Sequence, residues 1–118
     1  MIEPALIPAV AARFKILGVP ARLAILSAMQ SGEKSVGDLV AATGRSQPNV
    51  SQHLAALAQA RFVAMRREGN RVFYRVADPF LARICDAVCE SLGQRVREEQ
   101  KLMKTLAGRR RTAARARR

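Results

Sequence analysis

Uncharged hydrogen-bonding side chains gather in a segment, residues 46–57, whose apolar spacing predicts a helix. They are Gln47, Asn49, Ser51, Gln52 and His53. Short amides and hydroxyls match the donors and acceptors on base edges in the DNA major groove, whereas a face that only meets water more often carries Lys and Glu. Taken alone, the segment fits both a base-reading helix and a helix with a solvated polar face.

Two cysteines, Cys85 and Cys89, lie four residues apart in a second segment with helical periodicity. On a helix their Cβ atoms lie about 5–6 Å apart, more than the ~3.5–4.5 Å of an unstrained disulfide. The pair suits three chemistries: chelation of a thiophilic ion such as arsenite with a third ligand from elsewhere, bridging by added sulfur, or a cross-link to a second subunit. The alternative is that both thiols pack as small apolar side chains.

The charge balance favours a polyanionic partner. The 118 residues include 21 Lys and Arg against 9 Asp and Glu, a formal net charge of +12. Nucleic acid is the first candidate and an anionic membrane surface the second. The sequence shows no secretory signal and no apolar run long enough to span a membrane. With only two cysteines, we expect a cytoplasmic protein without a disulfide framework.

Short helices are predicted on the N-terminal side of the polar segment, after an irregular lead-in over residues 1–8. They cover residues 9–17, 20–30 and 35–43, and the second is expected to turn Leu23 and Leu26 inward. Gly44 and Arg45 connect the third helix to the polar one, which Ser46 is expected to cap. Two short helices joined by a tight Gly-containing turn form the helix-turn-helix pattern.

After residue 61 the apolar period changes from 3.6 to 2, which predicts a β-hairpin of residues 62–67 and 71–76. Gly69 and Asn70 suit its turn. Four arginines surround the tip: Arg66, Arg67, Arg71 and Arg75. With only Glu68 to offset them, we expect contact with a phosphate backbone or a minor groove, rather than a solvated hairpin whose charges block edge pairing.

A last helix is predicted over residues 79–106, capped by Asp78 and Pro79. Its apolar stripe is longer than a domain of this size needs, so we expect it to pair with the same helix of a second subunit. Residues 107–118 carry six arginines and are expected to form a basic, disordered tail that adds non-specific DNA affinity. The expected domain therefore covers residues 9–106.

Three motifs in this order resemble the ArsR/SmtB family of bacterial winged-helix repressors. Residues 17–26 (LGVPARLAIL) resemble the segment that enters the second helix, residues 46–54 (SQPNVSQHL) the recognition helix, and residues 68–74 (EGNRVFY) the wing. The resemblance spans about residues 9–94. It implies a mainly α fold with a β-hairpin (α+β), a winged helix-turn-helix that dimerises through its N- and C-terminal helices and represses transcription from operator DNA.

The resemblance also implies release of DNA by a metal ion, a metalloid or an oxidised sulfur species, but the usual metal ligands are missing. The family box Glu-x-Cys-x-Cys-Asp-Leu aligns with residues 33–39, where Ser35 and Gly37 replace both thiolates. The zinc-type site on the last helix needs histidine, and His53 is the only one in the chain. No metal site is therefore predicted, and Cys85 and Cys89 are left as the candidate effector site.

The sequence thus predicts a dimeric repressor of a palindromic operator, released by a thiol-directed effector. The predicted DNA-contacting residues lie in the turn, the polar helix and the hairpin: Arg45, Ser46, Gln47, Asn49, Ser51, Gln52, His53, Arg66, Arg67, Asn70 and Arg71. The alternatives are a repressor without a thiol effector and a sequence-nonspecific nucleoid-type protein. An enzyme is not expected, because no nucleophile–base–acid set and no Gly-rich phosphate loop is present.

Overall fold

The computed structural model describes residues 1–117, which divide into two compact units, residues 1–79 and a unit that begins at Phe80. The first unit contains a single 3-10 turn, four α-helices and three short strands. In chain order they are the 3-10 turn Pro4–Leu6, α1 (Ile7–Leu17), α2 (Pro20–Ala28), β1 (Lys34–Ser35), α3 (Val36–Thr43), α4 (Gln47–Gln59), β2 (Val63–Glu68) and β3 (Arg71–Val76). The second unit contains α5 (Leu81–Ala116).

Local sequence explains where the helices of the first unit begin and end. Pro20 occupies the first turn of α2, where its missing N–H is not needed. Ser35 caps α3 in a complete capping box: its Oγ accepts from the Asp38 N–H at 3.1 Å, and the Asp38 carboxylate accepts from the Ser35 N–H at 3.1 Å. These bonds lower the pKa of Asp38. Gly44 ends α3 in the left-handed region, with φ of 68°.

The N-terminal segment is more regular than the sequence predicts. The lead-in over residues 1–8 contains the 3-10 turn, and α1 begins at Ile7 rather than at residue 9. Pro8 is compatible with this early start, because a helix leaves the N–H groups of its first turn unpaired.

The core of the first unit is small and apolar. Its largest fully buried side chains come from α2, α3, α4 and the start of the hairpin: Ile25, Met29, Leu39, Val50, Leu54, Leu57 and Phe62. The prediction that Leu26 points inward is confirmed, but the same prediction for Leu23 is wrong, because Leu23 is 42% exposed. Ala21 and Ile25 complete the buried face of α2. The spacing of the apolar residues allowed both faces.

The sheet has one strand more than the predicted hairpin. Strand β3 lies in the middle and pairs antiparallel with both β1 and β2. Lys34 lies opposite Tyr74 and Ser35 opposite Phe73. A strand of two residues has no periodicity of its own, which explains why the sequence did not predict β1.

The second unit is dominated by α5, which has 36 residues and is about 54 Å long at the usual rise per residue. The expected cap at Asp78 is wrong, since Phe80 is the N-cap and makes no side-chain capping bond. The expected disorder of the tail is not met over residues 107–116, which continue the helix. This part is rich in Ala and Arg, two of the strongest helix formers. The disorder was predicted from its charge alone. Arg118 lies outside the described residues.

Most of the apolar stripe of α5 is uncovered in the single chain. The exposed large apolar side chains of α5 are Ile84, Val88, Leu92, Val96, Leu102, Met103 and Leu106. On α1, Ile7 and Phe14 are also at least half exposed. Within residues 1–117, none of the helices combines the length and the apolar character that a membrane crossing requires.

The capping box of α3 generates a stability prediction. Replacing Ser35 with Ala removes a buried hydroxyl that satisfies the Asp38 N–H, so we expect the free energy of unfolding to fall by about 1–2 kcal/mol. Urea denaturation followed by circular dichroism, at one fixed protein concentration, measures the change. The matched control is Ser51→Ala on the exposed face of α4, which should change stability by no more than about 0.5 kcal/mol. Equal losses in the two variants would contradict this account of the cap.

Candidate nucleic-acid interface

The turn between α3 and α4 is held by local hydrogen bonds. The Thr43 hydroxyl donates to the Leu39 carbonyl at 2.7 Å, and the Arg45 N–H donates to Thr43 Oγ1 at 3.4 Å. With Gly44 in the left-handed conformation, these contacts set the direction in which α4 begins. Thr43 was not among the predicted site residues, although a Thr just before a C-terminal Gly can bond back to the last turn of its helix.

The first turn of α4 follows the predicted capping pattern. Ser46 Oγ accepts from the Asn49 N–H at 3.3 Å, and Pro48 lies in the first turn. Val50, Leu54 and Leu57 are fully buried on one face. The exposed predicted contacts at this end of the helix are Arg45, Ser46, Gln47, Ser51 and Gln52. Apart from Arg45, which lies in the turn before α4, these exposed groups are uncharged, and the opposite face of the helix is fixed in the core.

Asn49 differs from its exposed neighbours. The residue is half-buried, and its Oδ1 is a buried acceptor without a hydrogen-bond partner. Its contact with the cap is made by its backbone N–H, which donates to Ser46 Oγ. Leaving a buried acceptor without a hydrogen bond costs about 1–3 kcal/mol of stability. The Asn49 amide is therefore an exception at a helix start that is otherwise well capped.

His53 is also half-buried and is bonded to α2. Arg22 Nε donates to His53 Nδ1 at 3.2 Å, and Arg22 Nη1 donates to the Ile16 carbonyl at 3.2 Å. Burial lowers the pKa of His53, and the positive charges of Arg22 and Arg45 lower it further. Arg22 was not among the predicted site residues, because nothing local in the sequence indicates a partner 31 residues away.

The hairpin turns through two residues, since Glu68 lies opposite Arg71. Gly69 has φ of 60°, and Asn70 is not in the positive-φ region. A glycine at the first central position is typical of a type II′ turn, whose twist suits a hairpin. Arg67, Asn70, Arg71 and Arg75 are exposed around this tip. They give the hairpin a cationic surface.

Arg66 is occupied by contacts that the sequence did not predict. Its Nη2 contacts Glu33 Oε1 at 2.7 Å and its Nη1 contacts Glu68 Oε2 at 2.8 Å. Its guanidinium also lies 4.8 Å from the centre of the Phe73 ring, where Arg71 lies at 5.0 Å. The bond from Arg66 lowers the pKa of Glu33, and the two carboxylates raise the pKa of Arg66 above its ordinary range. Glu33 therefore offsets the basic tip together with Glu68.

The cysteine pair lies on α5. Cys85 is half-buried and Cys89 is exposed, and both are free thiols. Burial raises the pKa of Cys85, and the neighbouring Cys89 and Asp86 raise it further. Among the described residues, no group of three or more His, Cys, Asp or Glu side chains is arranged to hold a metal ion. A thiophilic ion that takes three ligands, such as arsenite, would need a further ligand besides Cys85 and Cys89.

Known proteins are similar to this chain over about two thirds of its length. Residues 19–64 match the family model described as "Bacterial regulatory protein, arsR family". The biofilm growth-associated repressor of Agrobacterium fabrum is 42% identical over 79 residues, which cover 67% of this chain and 68% of that protein. The transcriptional regulator KmtR of Mycobacterium tuberculosis is 38% identical over 76 residues, which cover 64% of this chain and 58% of that protein.

Solved structures agree with these matches. The homodimeric winged helix-turn-helix DNA-binding domain of a possible ArsR-family regulator from Mycobacterium bovis has a TM-score of 0.70 and 35% identity, and covers 78% of this chain and 85% of that one. The antimony-specific transcriptional repressor AntR has a TM-score of 0.73 and 33% identity, and covers 82% of this chain and 88% of that one. The chain is a winged helix-turn-helix protein that belongs to the arsR family of bacterial regulatory proteins, which are DNA-binding transcriptional regulators rather than enzymes.

Proposed function

We propose that the protein is a dimeric repressor that binds a palindromic operator in double-stranded DNA and is released by a thiol-directed effector. One observation carries the proposal: α4 has a fully buried apolar face and, at its capped N-terminal end, an exposed surface of uncharged hydrogen-bonding groups. A helix held in this way has the geometry that helix-turn-helix proteins use to read the major groove. Gln47, Ser51 and Gln52 are the proposed base-reading residues.

The hairpin supplies the proposed phosphate contacts. Arg66 is already paired with Glu33 and Glu68, so contact with the backbone falls to the exposed Arg67 and Arg71, with Asn70 between the strands. Phosphate contacts position a protein on DNA and make its affinity fall with salt, but they carry little sequence information. The arginines of residues 109–115, at the C-terminal end of α5, add affinity of the same non-specific kind.

Dimerisation explains the uncovered apolar faces of α1 and α5. Val88, Leu92 and Val96 are each more than half exposed along α5, and Ile7 and Phe14 are exposed on α1. A second copy of this chain is the proposed cover, as in the homodimeric relative from Mycobacterium bovis. A twofold dimer presents two α4 helices to two half-sites about one DNA turn apart, which favours a palindromic operator.

Cys85 and Cys89 are the proposed effector site. Both are free thiols four residues apart on α5, and Cys89 is exposed. The raised pKa of Cys85 reduces its thiolate fraction at neutral pH, so Cys89 is expected to react first with a thiophile such as arsenite or with a sulfane sulfur donor. The similarity to an antimony-specific repressor is compatible with a metalloid, while a repressor without any thiol effector is the alternative.

A sequence-nonspecific nucleoid-type protein is the second candidate function. The net charge of +12 and the arginine-rich end of α5 favour it, because such charge binds any DNA. The two functions differ in their response to salt and to sequence. Non-specific binding falls steeply with salt and ignores sequence, whereas operator binding persists near physiological salt and exceeds binding to unrelated DNA by about a thousandfold or more.

The base-reading surface generates a specificity prediction. Gln52→Ala should weaken binding to the operator in the gene's own upstream region by about tenfold or more and leave binding to unrelated DNA nearly unchanged, because a lost bidentate base contact costs about 1–3 kcal/mol. Fluorescence anisotropy of labelled DNA, titrated at several salt concentrations, measures both affinities. Arg67→Gln should instead weaken both affinities and reduce the salt slope by about one.

The matched control for this prediction is Gln59→Ala at the other end of α4, where the side chain is also exposed. It should bind the operator as the wild type does. If Gln52→Ala and Gln59→Ala behave alike, α4 does not read bases, and equal affinity of the wild type for unrelated DNA would favour the nucleoid-type function.

The cysteine pair generates a prediction about release. Arsenite, polysulfide and a disulfide-forming oxidant are added separately to the reduced protein bound to labelled operator DNA. One of these agents should release the DNA and lower its anisotropy, whereas the double variant Cys85→Ser/Cys89→Ser should stay bound. Loss of the response in both single variants indicates chelation or bridging by two thiols, whereas loss in Cys89→Ser alone indicates chemistry at one thiol. A double variant that still responds as the wild type does would remove the thiol site from the proposal.

A further inference from the structure

The contact between Arg22 and His53 determines what His53 is able to offer DNA. A guanidinium carries only N–H donors, so Arg22 Nε, at 3.2 Å, requires a lone pair on His53 Nδ1. An imidazole with its lone pair on Nδ1 is neutral and carries its proton on Nε2. The direction of this one hydrogen bond therefore fixes both the charge and the tautomer of the ring.

Arg22 is itself held in place by the end of α1. Its Nη1 donates to the Ile16 carbonyl at 3.2 Å, in the last turn of α1, where a helix leaves its carbonyls unpaired. The guanidinium thus joins the C-terminal turn of α1 to the middle of α4, two segments far apart in sequence. The backbone of Arg22 is held in α2 and its Nη1 is held by the Ile16 carbonyl, so its Nε–H points toward His53 in one direction.

His53 Nε2 is accessible to a partner. Within residues 1–117, Asn49 Oδ1 is the single buried side-chain polar atom of a partly buried residue that lacks a hydrogen bond. His53 is partly buried, and the one side-chain bond found for it is that of Nδ1, so Nε2 is not sealed inside the protein. The group that remains open is a donor, which suits an acceptor on a base edge in the major groove, such as guanine O6 or N7.

We propose that Arg22 is the positioning residue of this DNA-binding surface, because its bond to Nδ1 holds His53 as a neutral Nε2–H tautomer that offers the operator one directed donor. This inference rests on the proposed function, in which the N-terminal half of α4 meets DNA. It adds a specificity determinant that lies outside the recognition helix. Arg22 acts through His53 and has no contact with DNA of its own in this scheme.

Protonation of His53 would undo the arrangement. A proton taken up at Nδ1 occupies the lone pair that accepts from Arg22. The imidazolium would also carry a positive charge close to two others, Arg22 on α2 and Arg45 in the turn before α4. Both effects favour the neutral ring, as does its partial burial, in agreement with the lowered pKa of His53. The directed donor is therefore retained as the pH falls toward the ordinary histidine pKa of about 6.5.

The tautomer is measured directly, because His53 is the only histidine in the chain. At about pH 8, well above the ordinary pKa, two-bond ¹H–¹⁵N correlation of the imidazole in the full-length protein should show a protonated Nε2 and an unprotonated Nδ1. Arg22→Met should give a mixture of tautomers and raise the pKa of His53. The matched control Arg45→Met removes a nearby charge but not the hydrogen bond, so it should change the pKa and keep the tautomer.

Two variants of His53 distinguish the role of Nε2 from the role of Nδ1 in DNA binding. Gln places an amide donor near the position of Nε2, whereas Asn keeps an acceptor near Nδ1 and loses the outward donor. We expect His53→Gln to bind the operator within about threefold of the wild type and His53→Asn to lose about tenfold, with binding to unrelated DNA unchanged in both. Arg22→Met should lower the preference for the operator over unrelated DNA.

Three results would overturn the proposal. A protonated Nδ1 in the wild-type protein excludes the Arg22 bond even if every variant folds poorly. Operator affinity that survives in His53→Asn and fails in His53→Gln assigns the role to the wrong nitrogen. If the wild type shows the Nε2–H tautomer but prefers no DNA sequence, the proposed function fails and the Arg22 contact is only a link between helices.

Discussion

The burial of one face of α4 is the constraint on which the rest of the structure depends. Val50, Leu54 and Leu57 are completely removed from solvent by α2, α3 and β2. Fully burying an aliphatic side chain is worth about 1.5–3 kcal/mol, so three of them on one helix strongly oppose rotation of α4 about its axis. Because successive helical positions are separated by a fixed angle, fixing these three residues also fixes the outward direction of Gln47, Ser51 and Gln52. The base-reading surface is a geometric consequence of the core.

Local features of the sequence predicted this part of the fold well. Ser46, Pro48 and Gly44 act within a few residues of their own positions, and the spacing of Val50, Leu54 and Leu57 records the buried face. The hairpin was predicted for the same reason, since the register of β2 and β3 follows from a turn that contains Gly69. The long apolar stripe of the last helix predicted pairing with a second subunit. The family resemblance implied the same dimer and added repression from operator DNA, which no local pattern contains.

Contacts between distant segments explain what the sequence did not predict. Arg22 meets His53 across 31 residues, and Arg66 meets Glu33 across 33. Strand β1 exists only because Lys34 and Ser35 lie beside β3. The charge of residues 107–116 suggested disorder, whereas their Ala and Arg content favours the helix that the structure contains. A contact between distant residues cannot be predicted from the sequence around either one. Where two local tendencies compete, as charge and helix propensity do in residues 107–116, the sequence alone does not show which prevails.

In the first unit, the charged residues and the uncharged residues have different proposed roles: affinity for any DNA and preference for one DNA sequence. Arg66 is neutralised by two carboxylates and packs over Phe73, so it stabilises the hairpin while Arg67 and Arg71 remain exposed. On α4, the contact from Arg22 favours a neutral His53, and the exposed Gln47, Ser51 and Gln52 of the same helix are also uncharged, whereas Arg45 lies in the turn before it. A charge on the reading face would attract every DNA sequence, whereas a neutral donor contributes only where an acceptor lies in the right direction. In the proposed repressor, the cationic hairpin and α5 therefore provide attraction to DNA, and the uncharged face of α4 provides the preference for one sequence.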